Sequence, residues 1–443
     1  MIWRMTWLLA RPTRDSLGVT ALPIVAFGIV TALLLAVLGG AQAFWRWDDD
    51  MALTYQALAV LALALLLVPL ATLGGSAARL SARRRDDRLS TLRLLGATPA
   101  AVGAMTLIES AALALIGAVL GTAASFGLAP VIGAIPFRGE PLGVGNVLLP
   151  PLVLLGAVVG VVAIAVASAV IGLRRVTISP LGVRTRQDAP RMSWVRALVA
   201  VAVVALAAIG MSVLGMGGAA VVLVILAAGF GGTIAVLNLV GPWVIGLVAR
   251  GRARRAQTPQ KLLAARAILE SPQAAWRQVS GTAMVSFMAV FAGTGTALLD
   301  ALSASDGDAD TRMLATDIGT GLTITVVISF LMVACSVGVN QAAGILDRAE
   351  LYASLHRLGM PEATADAARR GTVMVPLLIT SIGSAVIAAI VVFPLTGIAL
   401  IVAPLSLLVI AGVLAAGILL VRLGLLATRP LLRRASLATP AAV

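Results

Sequence analysis

Few side chains in this sequence can do chemistry, and their spacing narrows the kinds. The one histidine, His356, cannot by itself build a two- or three-histidine zinc site, and the one cysteine, Cys335, lies in an apolar run. No disulfide framework and no metal site are expected. Lys261 is the sole lysine, no glycine-rich loop precedes it, and G-x-x-x-x-G-K-[ST] occurs nowhere. The chain therefore carries no phosphate-binding loop of its own, and no catalytic residue or cofactor is expected in it. What remains is one carboxylate inside an apolar run, Glu109, and two short clusters of leucine and charge.

The first cluster lies in Arg85 to Leu95, where Leu89, Leu92 and Leu95 fall on one helical face while Asp86, Asp87, Arg88 and Arg93 are polar. Gly96 and Pro99 follow, a stop and a new start. The second cluster repeats the first. RRDDRLSTLRLLGATP aligns with LDRAELYASLHRLGMP by setting Leu95-Gly96 on Leu358-Gly359, which pairs Asp87 with Glu350, Thr91 with Ser354 and Leu92 with Leu355. One gap then pairs Pro99 with Pro361. Each copy predicts a stubby amphipathic helix. Such a helix either lies on anionic lipid through its arginines or docks into a partner through its leucines, and its recurrence at equivalent positions favours docking.

The elements that must hold these clusters are apolar spans. The 443 residues are 60% hydrophobic and 12% charged, with a mean hydropathy of +1.04, far from the mix of soluble domains. About 20 apolar residues cross a bilayer as a helix, and ten segments meet or approach that length. They are 17–44, 51–78, 101–135, 151–173, 195–216, 219–249, 279–299, 318–346, 372–393 and 398–421. Thirty of the 33 basic residues lie in alternate loops and at the termini, leaving only Arg46, Arg138 and Arg312 for the opposite side. By the positive-inside rule both termini are cytoplasmic. The net charge of +14 is thus a property of membrane loops, and nucleic acid is not an expected partner. Trp45 and Trp47 read as an interfacial anchor. Gly117/Gly121 and Gly156/Gly160 have the spacing of close helix packing.

A second echo precedes the spans, where LLARPTRDSLGVT and ILESPQAAWRQVS align Pro12 with Pro272. The expected fold is an all-α integral membrane protein of two parallel four-helix repeats joined by two helices. An amphipathic lead-in occupies 1–16. The first repeat spans 17–175 with coupling loop 79–100, the linker and spans five and six occupy 176–260, and the second repeat spans 261–443 with coupling loop 347–371.

Leu92-Arg93-Leu94-Leu95-Gly96-Ala97-Thr98-Pro99, then Glu109, then Leu115-Ile116-Gly117-Ala118-Val119-Leu120-Gly121 resembles the signature of FtsX-like, MacB-type permeases of ABC transporters. The second copy departs from it, with Gly371 where a counterpart of Glu109 would stand. The ten-span plan is similar to permeases of the bacitracin-resistance type, without their large extracellular domain. The resemblance implies a multi-pass protein of the bacterial cytoplasmic membrane that exports or extracts a lipid, peptide or antibiotic. It implies docking of a separate ABC ATPase, two copies per chain, that carries the ATP and magnesium. The docking residues would be Arg88, Leu89, Leu92, Arg93, Leu95 and Gly96, with Glu350, Leu351, Leu355, Leu358 and Gly359 in the second loop. A signal coupler that transports nothing is also compatible with it, and a secondary transporter less so, since Glu109 is the one carboxylate clearly within a span. A carboxylate there costs roughly 2.5 to 3.5 kcal/mol on insertion scales. Its position about two turns after Pro99 favours pairing near the interface over a proton role.

Overall fold

A computed structural model describes residues 17–49, 51–83, 98–178, 194–212, 219–306, 309–393 and 404–437. The segments expected as lead-in (1–16) and as first docking helix (84–97) lie outside these. The described chain is helical throughout apart from one two-residue hairpin. That follows from composition, because a backbone in hydrocarbon must satisfy its polar groups within one segment. Helix starts follow local chemistry. Pro99, Pro151, Pro259 and Pro272 each open a helix, where a missing amide proton costs nothing. Ser271 caps the last of these by accepting the Ala274 amide at 3.3 Å.

The described residues fall into two compact units. The first holds α1 (Leu17–Ala43), α2 (Ala52–Arg83), α3 (Pro99–Gly133), the hairpin β1 (Pro136–Phe137) and β2 (Glu140–Pro141), α4 (Val144–Val147) and α5 (Pro151–Ile178). Residues 334–347 belong to it as well. Its tightest pairing is α1 on α3. A Cβ on Gly117 would sit 2.6 Å from the Ile24 carbonyl oxygen, and one on Gly121 would overlap the Gly28 carbonyl. Only glycine lets the two backbones come this close, and lipid gives helices no hydrophobic reason to associate beyond such packing. Gly156 and Gly160, which share the spacing, face open space. Elsewhere in this unit Ser76 of α2 bonds the Ser336 hydroxyl at 2.7 Å and accepts from the Asn340 amide at 3.0 Å.

The second unit holds α6 (Trp194–Ser212), α7 (Ala219–Arg254), α8 (Pro259–Glu270), α9 (Pro272–Asp306), most of α10 (Ala309–Asp347), α11 (Ala349–Arg357), α12 (Glu362–Val391), α13 (Pro404–Ala427) and α14 (Arg429–Leu437). Here α9 packs on α12 through hydroxyls, Thr282 and Thr380 lying 3.2 Å apart and buried. Trp276 of α9 lies against Gly241 of α7, where a Cβ would overlap the ring, and its indole nitrogen donates to Asn238 Oδ1 at 3.1 Å.

By length and apolar composition α1, α3, α5, α7, α9, α10, α12 and α13 can cross a membrane. α2 and α6 carry the further apolar stretches Ala52–Leu66 and Leu198–Met211. Three boundaries differ from the sequence reading. Residues 79–83 are helical, α8 straddles the expected boundary at 260/261 with most of its length in the second repeat, and 362–371 belong to α12 rather than to a coupling loop. The last shift arises because the early residues of α12 are polar, so an apolar count starts the span at Thr372.

Candidate docking and coupling site

Of the residues expected to dock a partner, Arg88, Leu89, Leu92, Arg93, Leu95 and Gly96 lie outside the described residues. The second set is described in full. α10 ends at Asp347, and α11 begins after Arg348, which has φ −117° and ψ 20°. α11 ends in a Gly stop: Gly359 has φ 88°, its amide donates to His356 O at 2.9 Å, and the Met360 amide donates to Leu355 O at 3.0 Å. These two bonds cap carbonyls that the helix end would leave unpaired, and the left-handed conformation they need is open to glycine at no steric cost. Pro361 then precedes α12.

The leucines of α11 split between two directions. Leu351 is 51% exposed and Leu358 83% exposed, and at 3.6 residues per turn they share one face. Leu355 is half-buried and, with Tyr352, His356 and Met360, borders a hollow of only about 10 Å³ closed by Glu362 and Ala365 of α12 and by Leu432 of α14. α14 thus packs on α11 from behind, with Leu432 buried. Burial holds the Tyr352 hydroxyl above the ordinary tyrosine range, against the opposing charges of Arg348 and Arg369, so it stays neutral. Glu350, His356 and Gly359 are exposed.

Beneath α11 lies an ion cluster. Asp366 and Arg369 of α12 are 3% and 6% exposed. Arg369 Nη2 donates to Asp366 Oδ1 at 2.9 Å and to the Leu425 carbonyl at 3.3 Å, while Nη1 donates to Thr428 Oγ1 at 2.7 Å. Leu425 O is among the last carbonyls of α13, where a helix lacks internal donors and favours a cation. Arg370 Nε lies 3.1 Å and Arg429 Nε 3.9 Å from Asp366 Oδ2. One guanidinium therefore ties the start of α12 to the end of α13. Sequence reasoning took Arg369 and Arg370 as loop cations and passed over Asp366. The i, i+3 and i, i+4 spacing of Asp366, Arg369 and Arg370 was the available signal.

Glu109 lies in α3, about 15 Å by helix rise from Pro99, and is half-buried. Gly371 packs against α8, where an added Cβ would lie 2.8 Å from the Ala264 Cβ. A larger side chain at Gly371 would require α8 and α12 to move apart.

Two hollows open in the second unit. One of about 450 Å³ runs between α6, α7, α9 and α12, apolar except for Thr380, Ser384 and the Trp276 ring edge. The other, about 700 Å³, lies between α9, α10 and α13. Arg312, Thr316, Thr320 and Thr323 border it along α10, and Val409, Ile410 and Val413 along α13.

In the first unit, Arg138 at the hairpin turn bonds Asp49 through both guanidinium nitrogens, one at 3.2 Å. Its guanidinium carbon stands 4.1 Å from the Trp47 ring centroid and 4.5 Å from that of Tyr55. Hydrogen bonding from Arg138 holds the Asp49 carboxyl below its ordinary range. Trp47 is half-buried and packs against Phe44 and Tyr55. Trp45 remains exposed.

Comparison with known proteins adds one match. Residues 59–181 match the family described as FtsX-like permease C-terminal, a stretch that runs from within α2 to just beyond α5 and includes Leu92 to Gly121. The second cluster lies outside it. A search of curated proteins finds no match to the chain.

Proposed function

From the match of residues 59–181 to the FtsX-like permease C-terminal family, we propose that the chain is the membrane subunit of an ABC-type transporter powered by a separate ATPase chain. The observation that carries this reading is the face of α11. Leu351 and Leu358 are exposed on a short helix whose opposite side is packed, which is the form of a helix that lays apolar anchors into a partner's groove.

In this reading ten helices cross the membrane, α2 and α6 together with α1, α3, α5, α7, α9, α10, α12 and α13, and both termini are cytoplasmic, where thirty of the 33 basic residues then lie. The loops at 79–100 and 347–371 each take one ATPase subunit, which supplies the ATP and magnesium. The cargo is hydrophobic or amphipathic. The apolar hollow beside α6 and the hollow that grades from Arg312 and threonines to valines support that class.

The test is native mass spectrometry of the full chain produced in its native host and purified in mild detergent with any ABC ATPase it retains. One permease chain with two ATPase subunits is expected. A permease that retains no ATPase contradicts the assignment, and two permease chains with two ATPases removes one of the two docking loops.

A further inference from the structure

α11 has a mechanical difficulty that the rest of the second unit resolves. It is a nine-residue helix broken from α10 at Arg348 and from α12 at Gly359, whose φ of 88° makes a bend rather than a continuous helix. A force applied at Leu351 and Leu358 would swing such a helix about its two breaks. It would reach the spans only through lateral contacts. Those contacts come from the start of α12 and from α14, which closes on Tyr352, Leu355 and Met360 through Leu432 and leaves a hollow barely large enough for one water.

α14 is in turn held at its root. Thr428 joins it to α13 and accepts from Arg369, whose other nitrogen bonds Asp366 and the Leu425 carbonyl. Arg429, the first residue of α14, lies 3.9 Å from the same aspartate. The Tyr352 ring of α11 is close enough for the charges of Arg369 and Asp366 to act on its hydroxyl. The docking helix, the strap behind it and the ends of two spans therefore meet around one ion pair.

We propose that α14 is a strap that seats α11, and that Asp366 and Arg369 are positioning residues that latch this strap to α12 and α13, so that motion of a docked ATPase is passed to those two spans. This rests on α11 being a docking helix. The strap does not itself bind the ATPase through Leu432, which is covered. Its role is to keep the Leu351 and Leu358 face from yielding.

The experiment uses the permease with its ATPase in lipid nanodiscs, with Cys335 replaced by Ala. Spin labels at Met313→Cys on α10 and Ile390→Cys on α12 report distance with and without ATP and vanadate. Asp366→Asn alone leaves a buried guanidinium without its counter-charge and lowers folded yield. The double variant Asp366→Asn, Arg369→Met removes both charges, and its yield returns. The proposal expects that double variant to retain the ATPase, yet to lose the ATP-dependent distance change and the stimulation of hydrolysis. Leu432→Asp is expected to lose both in the same way. If the double variant shifts like the parent, or the parent shows no shift, the latch is overturned. Loss of the ATPase from the parent itself would instead contradict the docking reading.

Discussion

Each unit is pinned by an aspartate and an arginine, and the two pairs differ in burial. Asp49 and Arg138 clasp a turn in the first unit with side chains 51% and 20% exposed, whereas Asp366 and Arg369 in the second are each 4% exposed. Water and salt screen the first pair, so it adds little to stability. The second cannot be screened; Thr428 and the Leu425 carbonyl each take a further guanidinium donor of Arg369, while its Nε stays buried without a hydrogen bond. The same two side chains thus do different work. In the first unit the ion pair trims a loop already held by aromatic rings, while the glycine crossing of α1 and α3 holds the helices. In the second the ion pair is itself the joint.

The largest effect that separates the two is Asp366→Asn, which should cost about 3 to 5 kcal/mol by leaving Arg369 buried and uncompensated, read as a drop in folded protein by fluorescence-detected size exclusion. Gly121→Leu should follow at about 1 to 3 kcal/mol, because the new side chain overlaps the Gly28 backbone. Gly160→Leu, with the same spacing and open space around it, should leave thermal unfolding unchanged. Equal losses at Gly121 and Gly160 would mean that the α1 and α3 crossing does not hold the first unit.

The first clasp should give the smallest effects. Arg138→Leu removes its contacts to the Trp47 and Tyr55 rings and should cost about 1 kcal/mol. Asp49 has a carboxyl pKa lowered below the ordinary 3.8. Its contribution is therefore complete above that value and is lost as pH falls through the lower folded-state pKa. Trp47 fluorescence, followed in a protein from which the other tryptophans have been replaced, should change only in that acid range. An Asp49→Asn variant should no longer show the acid change. A transition near neutral pH would assign it to some other group.

The sequence made some of this visible and hid the rest for physical reasons. Apolar run length exposed the helices, and Leu-Gly followed by Pro marked the end of α11, because those residues act through local backbone conformation. Gly117 and Gly121 had the spacing of close packing, but so did Gly156 and Gly160. Spacing tells which side of a helix is small and not whether a neighbour lies against it. Asp366 escaped because counting charges by loop treats each arginine as solvated, and burial by α13 and α14 depends on residues some 60 positions away. Leu355 reads as an equivalent of Leu351 and Leu358 on a lone helix. The packing of α12 and α14 turns it half inward.

The central claim, that a separate ATPase docks on this chain through the exposed face of α11, is tested most directly by retention of the native host's ABC ATPase on the purified full chain for Leu358→Asp beside Leu198→Asp. Both leucines are exposed, but Leu198 lies on α6, a membrane span in this reading and away from the proposed docking face, so its carboxylate meets lipid rather than a partner. Folded yield is measured alongside. The account predicts that Leu358→Asp loses ATPase and stimulated hydrolysis at normal folded yield, while the Leu198→Asp protein that folds keeps both. Unchanged retention and hydrolysis in Leu358→Asp would contradict it and leave α11 as a helix lying on the lipid surface.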